Sequence, residues 1–306
     1  MKIYIQRPEA ICAYGAWTWV IKGYVSAWEA RGYEVAQYDH LEQIDVSQEF
    51  ELMTYDIYIR NIKGLEVLSK AKRAYVFVGP NNFPSPWGEH PNWLSPLPDS
   101  FIQSINEMDN VYLWCWQHAD RTDYYTKWKK IKRVGMAFDH INYRPVRDSR
   151  LEFDVCYIGS WANNGLNEKK KIMIKHFAAL KKLNLKCGFF INQGLNKFSI
   201  QQEANVLFNS KITINLHDNY QRILGLDHNE RTYKSLGANG FLISDKVAIV
   251  EEDFPNVPIA ETPEEMASLV TKYLDVDLEE EKVKNRQNIL DNHTYINRVE
   301  QLISLT

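Results

Sequence analysis

The stretch from Asn229 to Asp245 reads NERTYKSLGANGFLISD and joins a predicted helix to a predicted strand. Polar residues open the helix, and Gly240 separates it from the apolar run FLIS. The free N–H groups and the dipole of a helix N-terminus favour phosphate, and Arg231 can grip a diphosphate through two hydrogen bonds. The stretch therefore predicts a phosphate-binding helix, although a capped helix with a solvated Arg231 would give the same pattern.

Short β-branched, aromatic or apolar runs recur along the chain and are typical of buried strands. Helical patterns such as Lys169–Leu183 lie between them, and Thr262 with Glu265 has the spacing of a capping box. This alternation predicts parallel sheets with helices on both faces. The predicted strands are Lys2–Gln6, Glu34–Tyr38, Asp56–Arg60, Ala74–Val78 and Val111–Trp116, followed by Phe153–Ile158, Lys186–Ile191, Lys211–Leu216 and Phe241–Ser244.

A seam near Asn142–Arg150 separates two such alternations. We therefore predict an α/β protein made of two Rossmann-like domains that face a central cleft. The first domain is predicted over residues 1–145 and the second over residues 151–285. Residues 286–306 are predicted to contain a closing helix that packs back on the first domain.

The composition excludes several classes of protein. With 306 residues, 45% of them hydrophobic, the chain is neither disordered nor fibrous. Its 36 Lys and Arg nearly balance 39 Asp and Glu, which argues against a general nucleic-acid binder. The aromatic fraction of 13% is high, so we expect some rings on a surface that stacks against sugars, bases or a partner.

The cysteines and the N-terminus bear on the compartment. Scattered thiols without CxxC spacing predict no structural zinc site and suit a reducing environment. The N-terminus lacks the long apolar run of a signal peptide, and no run of about 18 apolar residues is present. We therefore expect a cytoplasmic protein without a membrane span. The four cysteines are Cys12, Cys115, Cys156 and Cys187.

Two aromatic loops follow predicted strands of the first domain. The longer one, residues 79–93, holds too much proline for a helix or a central strand. Ligands of open α/β sheets bind beyond the carboxyl ends of strands, so both loops are candidate acceptor surfaces. An ordered packing loop whose Trp side chains cover the core is the alternative. The acceptor candidates are Tyr14, Gly15, Trp17, Trp87 and Trp93.

Other polar or glycine-containing turns follow strands of the second domain. In the turn Gly159-Ser160-Trp161, backbone N–H groups could approach phosphate while the indole stacks on a base or sugar, or the turn could simply pack. A base for an acceptor hydroxyl could come from either of two polar pairs, although a lone His is more often structural. The pairs are Asp139-His140 and His217-Asp218.

The second half of the chain resembles the CgeB-like (spore maturation protein) glycosyltransferases, relatives of the group 1 glycosyltransferases. Their donor-site helix has the pattern Asn-x-Arg-x-aromatic-Glu, followed by small residues and a Gly-led strand. The resemblance covers roughly residues 134–302. The first domain is similar only in its alternation of predicted strands and helices. The matching residues are Asn229, Arg231, Tyr233, Gly240, Phe241, Leu242, Ile243 and Ser244, with supporting likeness at Asp154–Trp161, Val134–Pro145, Thr262–Met266, His293–Tyr295 and Arg298-Val299.

This resemblance implies a GT-B fold and transfer of a sugar from a nucleotide-diphosphate sugar, with a UDP-sugar as the expected donor. It places the donor on the C-terminal domain and the acceptor on the N-terminal domain, and it implies no bound metal and no permanent cofactor. The acceptor class stays open between a glycan, a small molecule and a modified DNA base. The implied donor-binding residues are Gly159, Ser160, Trp161, Asn229, Glu230, Arg231, Thr232, Tyr233, Lys234 and Gly240.

Two departures from the family pattern leave alternatives open. Lys234 stands where the family commonly has a Glu that holds the donor ribose, and Leu226 stands where group 1 enzymes often have another. Lys cannot accept hydrogen bonds from hydroxyl groups. Either the donor is bound differently, with Lys234 on phosphate, or the chain is a catalytically inactive binding module. A DNA-base glycosyltransferase is a further alternative, and the sequence predicts no oligomeric state.

Overall fold

A computed structural model describes residues 1–8, 17–79, 97–160, 168–191 and 198–305. The chain forms two compact units. The first unit is Met1–Gly135 together with Ile296–Thr306, and the second is Met136–Tyr295. Each unit contains one parallel sheet, and helices connect most of the successive strands.

The first unit has a six-stranded sheet in the order β2-β1-β3-β4-β5-β6. Its strands are β1 (Lys2–Gln6), β2 (Glu34–Tyr38), β3 (Phe50–Tyr55), β4 (Arg73–Phe77), β5 (Val111–Cys115) and β6 (Lys132–Arg133). Its helices are α1 (Trp17–Ala30), α2 (Ile62–Lys70) and α3 (Asp99–Asn106), and the closing helix α11 (Tyr295–Ile303) belongs to this unit from Ile296 onward.

The second unit has a five-stranded sheet in the order β11-β10-β9-β7-β8. Its strands are β7 (Val155–Gly159), β8 (Cys187–Ile191), β9 (Ile212–Asn215), β10 (Leu242–Asp245) and β11 (Ile259–Ala260). Its helices are α4 (Lys169–Lys181), α5 (Ile200–Asn209), α6 (Asn219–Leu224), α7 (Glu230–Ala238), α8 (Ala248–Asp253), α9 (Pro263–Leu274) and α10 (Glu279–Asn292).

The predicted strand Asp56–Arg60 is wrong, since Asp56–Tyr58 is a 3-10 turn and the strand is β3, just before it. All six residues of β3 are buried, including Glu51, whose carboxylate is paired with Arg73 on β4. A charged residue inside a buried strand removes the periodicity on which a sequence prediction depends. The sequence pattern therefore placed the strand in the next apolar run, Asp56–Arg60.

The core of the second unit explains why its strands read as continuous apolar runs. Val155, Ile214 and Ile243 on the three central strands are fully buried. Met173 from α4 and Val270 from α9 belong to the same cluster. Both faces of a parallel sheet are covered by helices, so its strands need apolar residues at nearly every position.

The closing helix is tied to the first unit. Arg298 donates from Nε to the carbonyl oxygen of Gly135 at 3.1 Å, and Glu300 pairs with Arg31, which directly follows α1. Val299 and Leu302 on this helix are fully buried. These contacts hold the last residues of the chain against the unit that contains its N-terminus.

Candidate active site

The carboxyl ends of three neighbouring strands bring polar groups together at one edge of the second sheet. Strands β7, β9 and β10 are parallel neighbours and end at Gly159, Asn215 and Asp245. Helix α7 begins at the same edge because it follows β9, and the Asn229 side chain caps it by accepting from the backbone N–H of Arg231 at 3.2 Å. We call this region the donor edge.

Arg231 lies at the centre of the donor edge and is only 7% exposed. Its Nε donates to the carbonyl oxygen of Ile158 at 2.6 Å, and its Nη1 donates to Asn215 Oδ1 at 2.8 Å. The guanidinium lies over the ring of Tyr157, 4.6 Å from the centroid. These contacts fix the plane of the guanidinium before any ligand arrives.

Arg231 differs from the other cations of this edge in its counter-ions. Lys169 pairs with Asp218 at 3.3 Å, and Arg222 pairs with Asp245 at 3.4 Å. Within the part of the chain that the structure describes, Arg231 has no carboxylate within 4.0 Å. A buried charge without a direct counter-ion is costly, so Arg231 is a site prepared for an anion.

Gly159 gives Arg231 the space it occupies. A methyl group built on Gly159 would lie 2.8 Å from Cζ of Arg231 and 2.7 Å from the hydroxyl oxygen of Tyr157. Only a residue without a side chain fits there unless Arg231 moves. Ser160 follows and is half-buried, while Trp161 lies outside the described residues.

Lys234 lies one turn further along α7, between two carboxylates. Its Nζ is 3.3 Å from Glu203 Oε1 and 3.7 Å from Glu230 Oε1. The hydroxyl of Tyr143 donates to the other oxygen of Glu203 at 2.9 Å. The charge of Lys234 is therefore already compensated, and this arrangement does not favour its predicted contact with phosphate.

Glu230 is the carboxylate of this group nearest to the start of α7. Burial opposes its ionisation, but Lys234 and Arg231 outweigh burial and hold the pKa of Glu230 below its ordinary value. An ionised carboxylate can accept hydrogen bonds from ligand hydroxyl groups. Glu230 is therefore able to do what Lys234 cannot.

His217, one of the candidate bases, is held by contacts within the chain. It is fully buried, and its Nδ1 lies 2.7 Å from Asp245 Oδ1. Its Nε2 lies 3.3 Å from Nδ2 of Asn215, the same amide whose oxygen accepts from Arg231. Burial opposes the charge of Asp245, yet His217 and Arg222 hold the pKa of Asp245 below its ordinary value. Both ring nitrogens of His217 thus have partners within the chain.

Two other candidate bases, Asp139 and Asp218, also have partners within the chain. Asp139 is buried and accepts from the backbone N–H and the side-chain amide of Asn142, at 3.1 and 2.8 Å. His140 is half-buried, and burial lowers its pKa. Asp218 is bound to Lys169, the first residue of α4. Asp218 follows β9 and therefore lies at the donor edge.

The remaining predicted residues lie on α7 or just beyond its C-terminal end. Thr232 accepts from Asn215 Nδ2 at 2.9 Å, at the donor edge, and Tyr233 is buried against Phe254. Gly240, expected to bind the donor, instead precedes β10 at the opposite edge of the sheet. It has φ of +87°, and a methyl group there would lie 2.6 Å from the α-carbon of Lys282. Gly240 is required for a left-handed turn and close helix packing.

The acceptor candidates lie mostly outside the described residues. These are Tyr14, Gly15, Trp87 and Trp93. Trp17 is described, begins α1 and is half-buried. It belongs to a cluster of aromatic rings at the carboxyl edge of the first sheet.

Several residues of the donor edge were not predicted from the sequence, namely Lys169, Glu203, Asn215, Arg222 and Asp245. Two of them could have been identified from their positions in the sequence. Asn215 is the polar residue that ends an apolar strand, and Lys169 begins the helix after the Gly159 turn. Glu203 carries no such signal, because it lies inside α5 and meets Lys234 only through tertiary packing.

Comparisons with known proteins bear on the family. Residues 192–304 match the family model described as Glycosyl transferase-like. No curated protein matches. Within the described residues, no helix is long and apolar enough to cross a bilayer, and no group of three or more His, Cys, Asp or Glu side chains is placed to hold a metal ion.

Solved structures of glycosyltransferases share the fold at low sequence identity. OtsA in its apo form has a TM-score of 0.58 at 11% identity over 94% of this chain and 77% of its own. A Burkholderia xenovorans alpha,alpha-trehalose-phosphate synthase (UDP-forming) in complex with glucose-6-phosphate has a TM-score of 0.56 at 12% identity, over 93% and 78%. TarM has a TM-score of 0.53 at 11% identity over 86% of this chain, which spans 56% of TarM. The GT-B fold predicted from the sequence is confirmed by these structures.

Proposed function

We propose that this chain transfers a sugar from a nucleotide-diphosphate sugar to an acceptor hydroxyl, and that the donor diphosphate binds at the donor edge. The observation that carries this proposal is Arg231, a buried cation with a fixed plane and no carboxylate within 4.0 Å in the described chain. A diphosphate supplies the missing counter-ion and can accept two hydrogen bonds from a guanidinium.

The same arrangement suits the chemistry of sugar transfer. When the bond between the anomeric carbon and the diphosphate oxygen breaks, negative charge develops on the departing diphosphate. A guanidinium already held by Ile158 and Asn215 needs no reorganisation to stabilise that charge. The N-terminus of α7 adds its backbone N–H groups and its dipole. These groups make a metal-independent departure chemically reasonable.

Hydroxyl groups of the donor need an acceptor of hydrogen bonds. Lys234 occupies the position at which the family pattern has Glu, and Glu203 and Glu230 neutralise it. We assign hydroxyl recognition to Glu230, one turn earlier on α7, because its pKa is held low and it is partly exposed.

The identity of the donor nucleotide and the subfamily belong to the same proposal. A UDP-sugar is supported by structural neighbours described as UDP-forming synthases. The CgeB-like assignment is supported by the order and spacing of the motifs between residues 134 and 302. A cytoplasmic location is supported by the free thiols of Cys156 and Cys187.

Nucleotide binding by the full chain tests the proposal. Thermal shift with UDP, GDP, CDP, ADP and their glucose conjugates should identify one base, with a stabilisation of about 2.7 kcal/mol at 100 times the dissociation constant. Slow release of free sugar from the matching conjugate, followed by NMR, separates an enzyme from a binding module. Binding without any release would support the inactive module, and no binding to any nucleotide would refute the donor edge.

A further inference from the structure

A row of buried polar groups runs from Arg231 into the interior of the second unit, and we call it the buried network. It consists of Arg231, Asn215, His217 and Asp245. Nη1 of Arg231 donates to Oδ1 of Asn215 at 2.8 Å, and Nδ2 of Asn215 lies 3.3 Å from Nε2 of His217. Nδ1 of His217 lies 2.7 Å from Oδ1 of Asp245. Asn215, His217 and Asp245 are fully buried, so neighbouring protein groups decide where each proton lies.

Arg231 fixes which way the amide of Asn215 points. A guanidinium only donates hydrogen bonds, so the amide must turn its oxygen towards Arg231. The amide nitrogen then faces the other side, where Nδ2 donates to Oγ1 of Thr232 at 2.9 Å. The second hydrogen of the same nitrogen is left for Nε2 of His217. If the amide were reversed, two donors would face each other at Arg231.

The amide in turn fixes the proton on the ring of His217. Because Nε2 faces an N–H group, it must accept a hydrogen bond and can carry no proton. The one ring proton of the neutral imidazole therefore lies on Nδ1, which donates it to Asp245. Asp245 also accepts from the backbone N–H of His217 at 3.0 Å and pairs with Arg222 at 3.4 Å, so its carboxylate is held in place.

The buried network determines which N–H groups of Arg231 are left for a ligand. A guanidinium has five N–H groups. Nε donates to the carbonyl oxygen of Ile158, and Nη1 donates to Asn215 and to the carbonyl oxygen of Leu216 at 3.2 Å. In the part of the chain that the structure describes, Nη2 donates to no protein atom. The two N–H groups of Nη2 are therefore the ones that can bind a phosphate.

We propose that His217 is a positioning residue for the donor diphosphate, and that it acts through the amide of Asn215 on the guanidinium of Arg231. This proposal rests on the proposed function, because it names the residue that prepares the same site. When His217 no longer accepts from Asn215, the amide can turn over and Arg231 loses the oxygen that holds Nη1. This role differs from that of a base, because Nε2 is already engaged with Asn215.

The tautomer of His217 gives a test that needs no ligand. Long-range ¹H–¹⁵N correlation spectra of the full chain distinguish protonated from unprotonated ring nitrogens, and the signals of His217 are those lost in His217→Gln. We expect a protonated Nδ1 and an unprotonated Nε2. A proton on Nε2 would overturn the proposal, whatever the protein binds.

Calorimetry tests the effect of His217 on the ligand. The probes are UDP, GDP, CDP and ADP, together with the nucleoside of the diphosphate that binds best. We expect His217→Leu to weaken that diphosphate by about tenfold and its nucleoside by less than about twofold, because only the diphosphate contacts Arg231. His217→Gln should lose less, because its amide oxygen can still accept from Asn215. Equal losses for the diphosphate and the nucleoside would indicate a merely structural role and overturn the proposal.

His176→Leu is the matched control, because His176 is a buried histidine of the same unit outside the buried network. Its Nδ1 lies 2.8 Å from the carbonyl oxygen of Ile172 on its own helix. This variant should lose stability and bind the diphosphate as the wild type does. An unchanged diphosphate affinity in His217→Leu, or equal losses in His217→Gln and His217→Leu, also overturns the proposal. If the wild-type protein binds none of the four diphosphates, the proposed function fails instead, and the tautomer measurement distinguishes the two failures.

Discussion

The guanidinium of Arg231 lies against the α-carbon of Gly159, in the space that any other side chain at that position would fill. The two residues are far apart in sequence, and each has its place because of a different element. Gly159 ends strand β7, and Arg231 lies in the first turn of α7. The glycine therefore sets the position of the one cation at the donor edge, among the described residues, that has no direct carboxylate partner.

Removing the Arg231 cation tests its role directly. We expect Arg231→Ala to weaken binding of the preferred nucleotide diphosphate by about 1.5–3 kcal/mol, the usual contribution of a hydrogen bond to a charged group. Lys211→Ala is the control, since Lys211 is an exposed cation that directly precedes β9, at the opposite edge of the sheet. Calorimetry on folded variants measures both. Equal affinities for wild type and Arg231→Ala would remove Arg231 from the site.

Filling the space beside Arg231 should have a similar effect without removing any charge. Gly159→Ala places a methyl group 2.8 Å from Cζ of Arg231, so the guanidinium must shift. We expect at least about a tenfold loss of nucleotide affinity, and a loss of stability of about 1–3 kcal/mol from overpacking.

Gly79→Ala is the matched control for that substitution. Its methyl group would meet Asp56 at 3.7 Å, an ordinary contact. We expect this variant to bind nucleotide as the wild type does. An unchanged nucleotide affinity in Gly159→Ala would mean that Arg231 tolerates displacement, and the fixed guanidinium would no longer explain binding.

Local patterns in the sequence identified much of the fold. Strands Lys2–Gln6 and Glu34–Tyr38 are confirmed with the predicted bounds, because each is a short run between clear turns. Thr262 caps α9 by accepting from the backbone N–H of Glu265, as the capping pattern predicts. The strand β3 was missed because Glu51 is buried through an ion pair with Arg73, a partner 22 residues away.

The same limit applies to the candidate site. Helix α7 and Arg231 could be singled out because helix N-termini have a local signature. Glu203, one of the two partners of Lys234, could not, since it is 31 residues away on another helix. From the sequence alone, Lys234 could be explained only as a phosphate-binding residue or as a sign of lost activity. The fold offers a third explanation, an internal ion pair.

That ion pair changes what a family-like substitution would do. Lys234→Glu would place a third carboxylate beside Glu203 and Glu230, and we expect it to destabilise the fold by about 3–5 kcal/mol. Urea denaturation measures this loss. The fold should recover much of its stability when Lys234→Met is combined with Glu203→Gln, because the charges of Lys234 and Glu203 are then both removed and Glu230 keeps Arg231 as a neighbouring cation.

The double variant also separates stability from binding. Because Lys234 contacts carboxylates and not the ligand in this proposal, and because Arg231 still favours the ionised form of Glu230, the nucleotide affinity of the double variant should stay within about threefold of wild type. A larger loss of affinity in the stable double variant would show that Lys234 contacts phosphate. A gain of affinity in Lys234→Glu, without loss of stability, would point instead to a decayed ribose site.

Lys282 on α10 should make stability depend on pH. Burial lowers its pKa to about 8 from the usual 10.5, and its Nζ donates to the carbonyl oxygen of Ser210 at 3.3 Å. Between these two values the unfolded chain binds more protons than the folded one, so the free energy of unfolding rises with pH. The cost of burying this charge is complete below pH 8 and amounts to at most about 3 kcal/mol.

The variant Lys282→Met should therefore exceed the wild type in free energy of unfolding by the largest amount at pH 7. This difference should shrink by pH 10. Urea denaturation at both values measures it, with exposed Lys272→Met as a control whose difference from wild type should stay constant. An equal difference at pH 7 and pH 10 for Lys282→Met would contradict the buried charge.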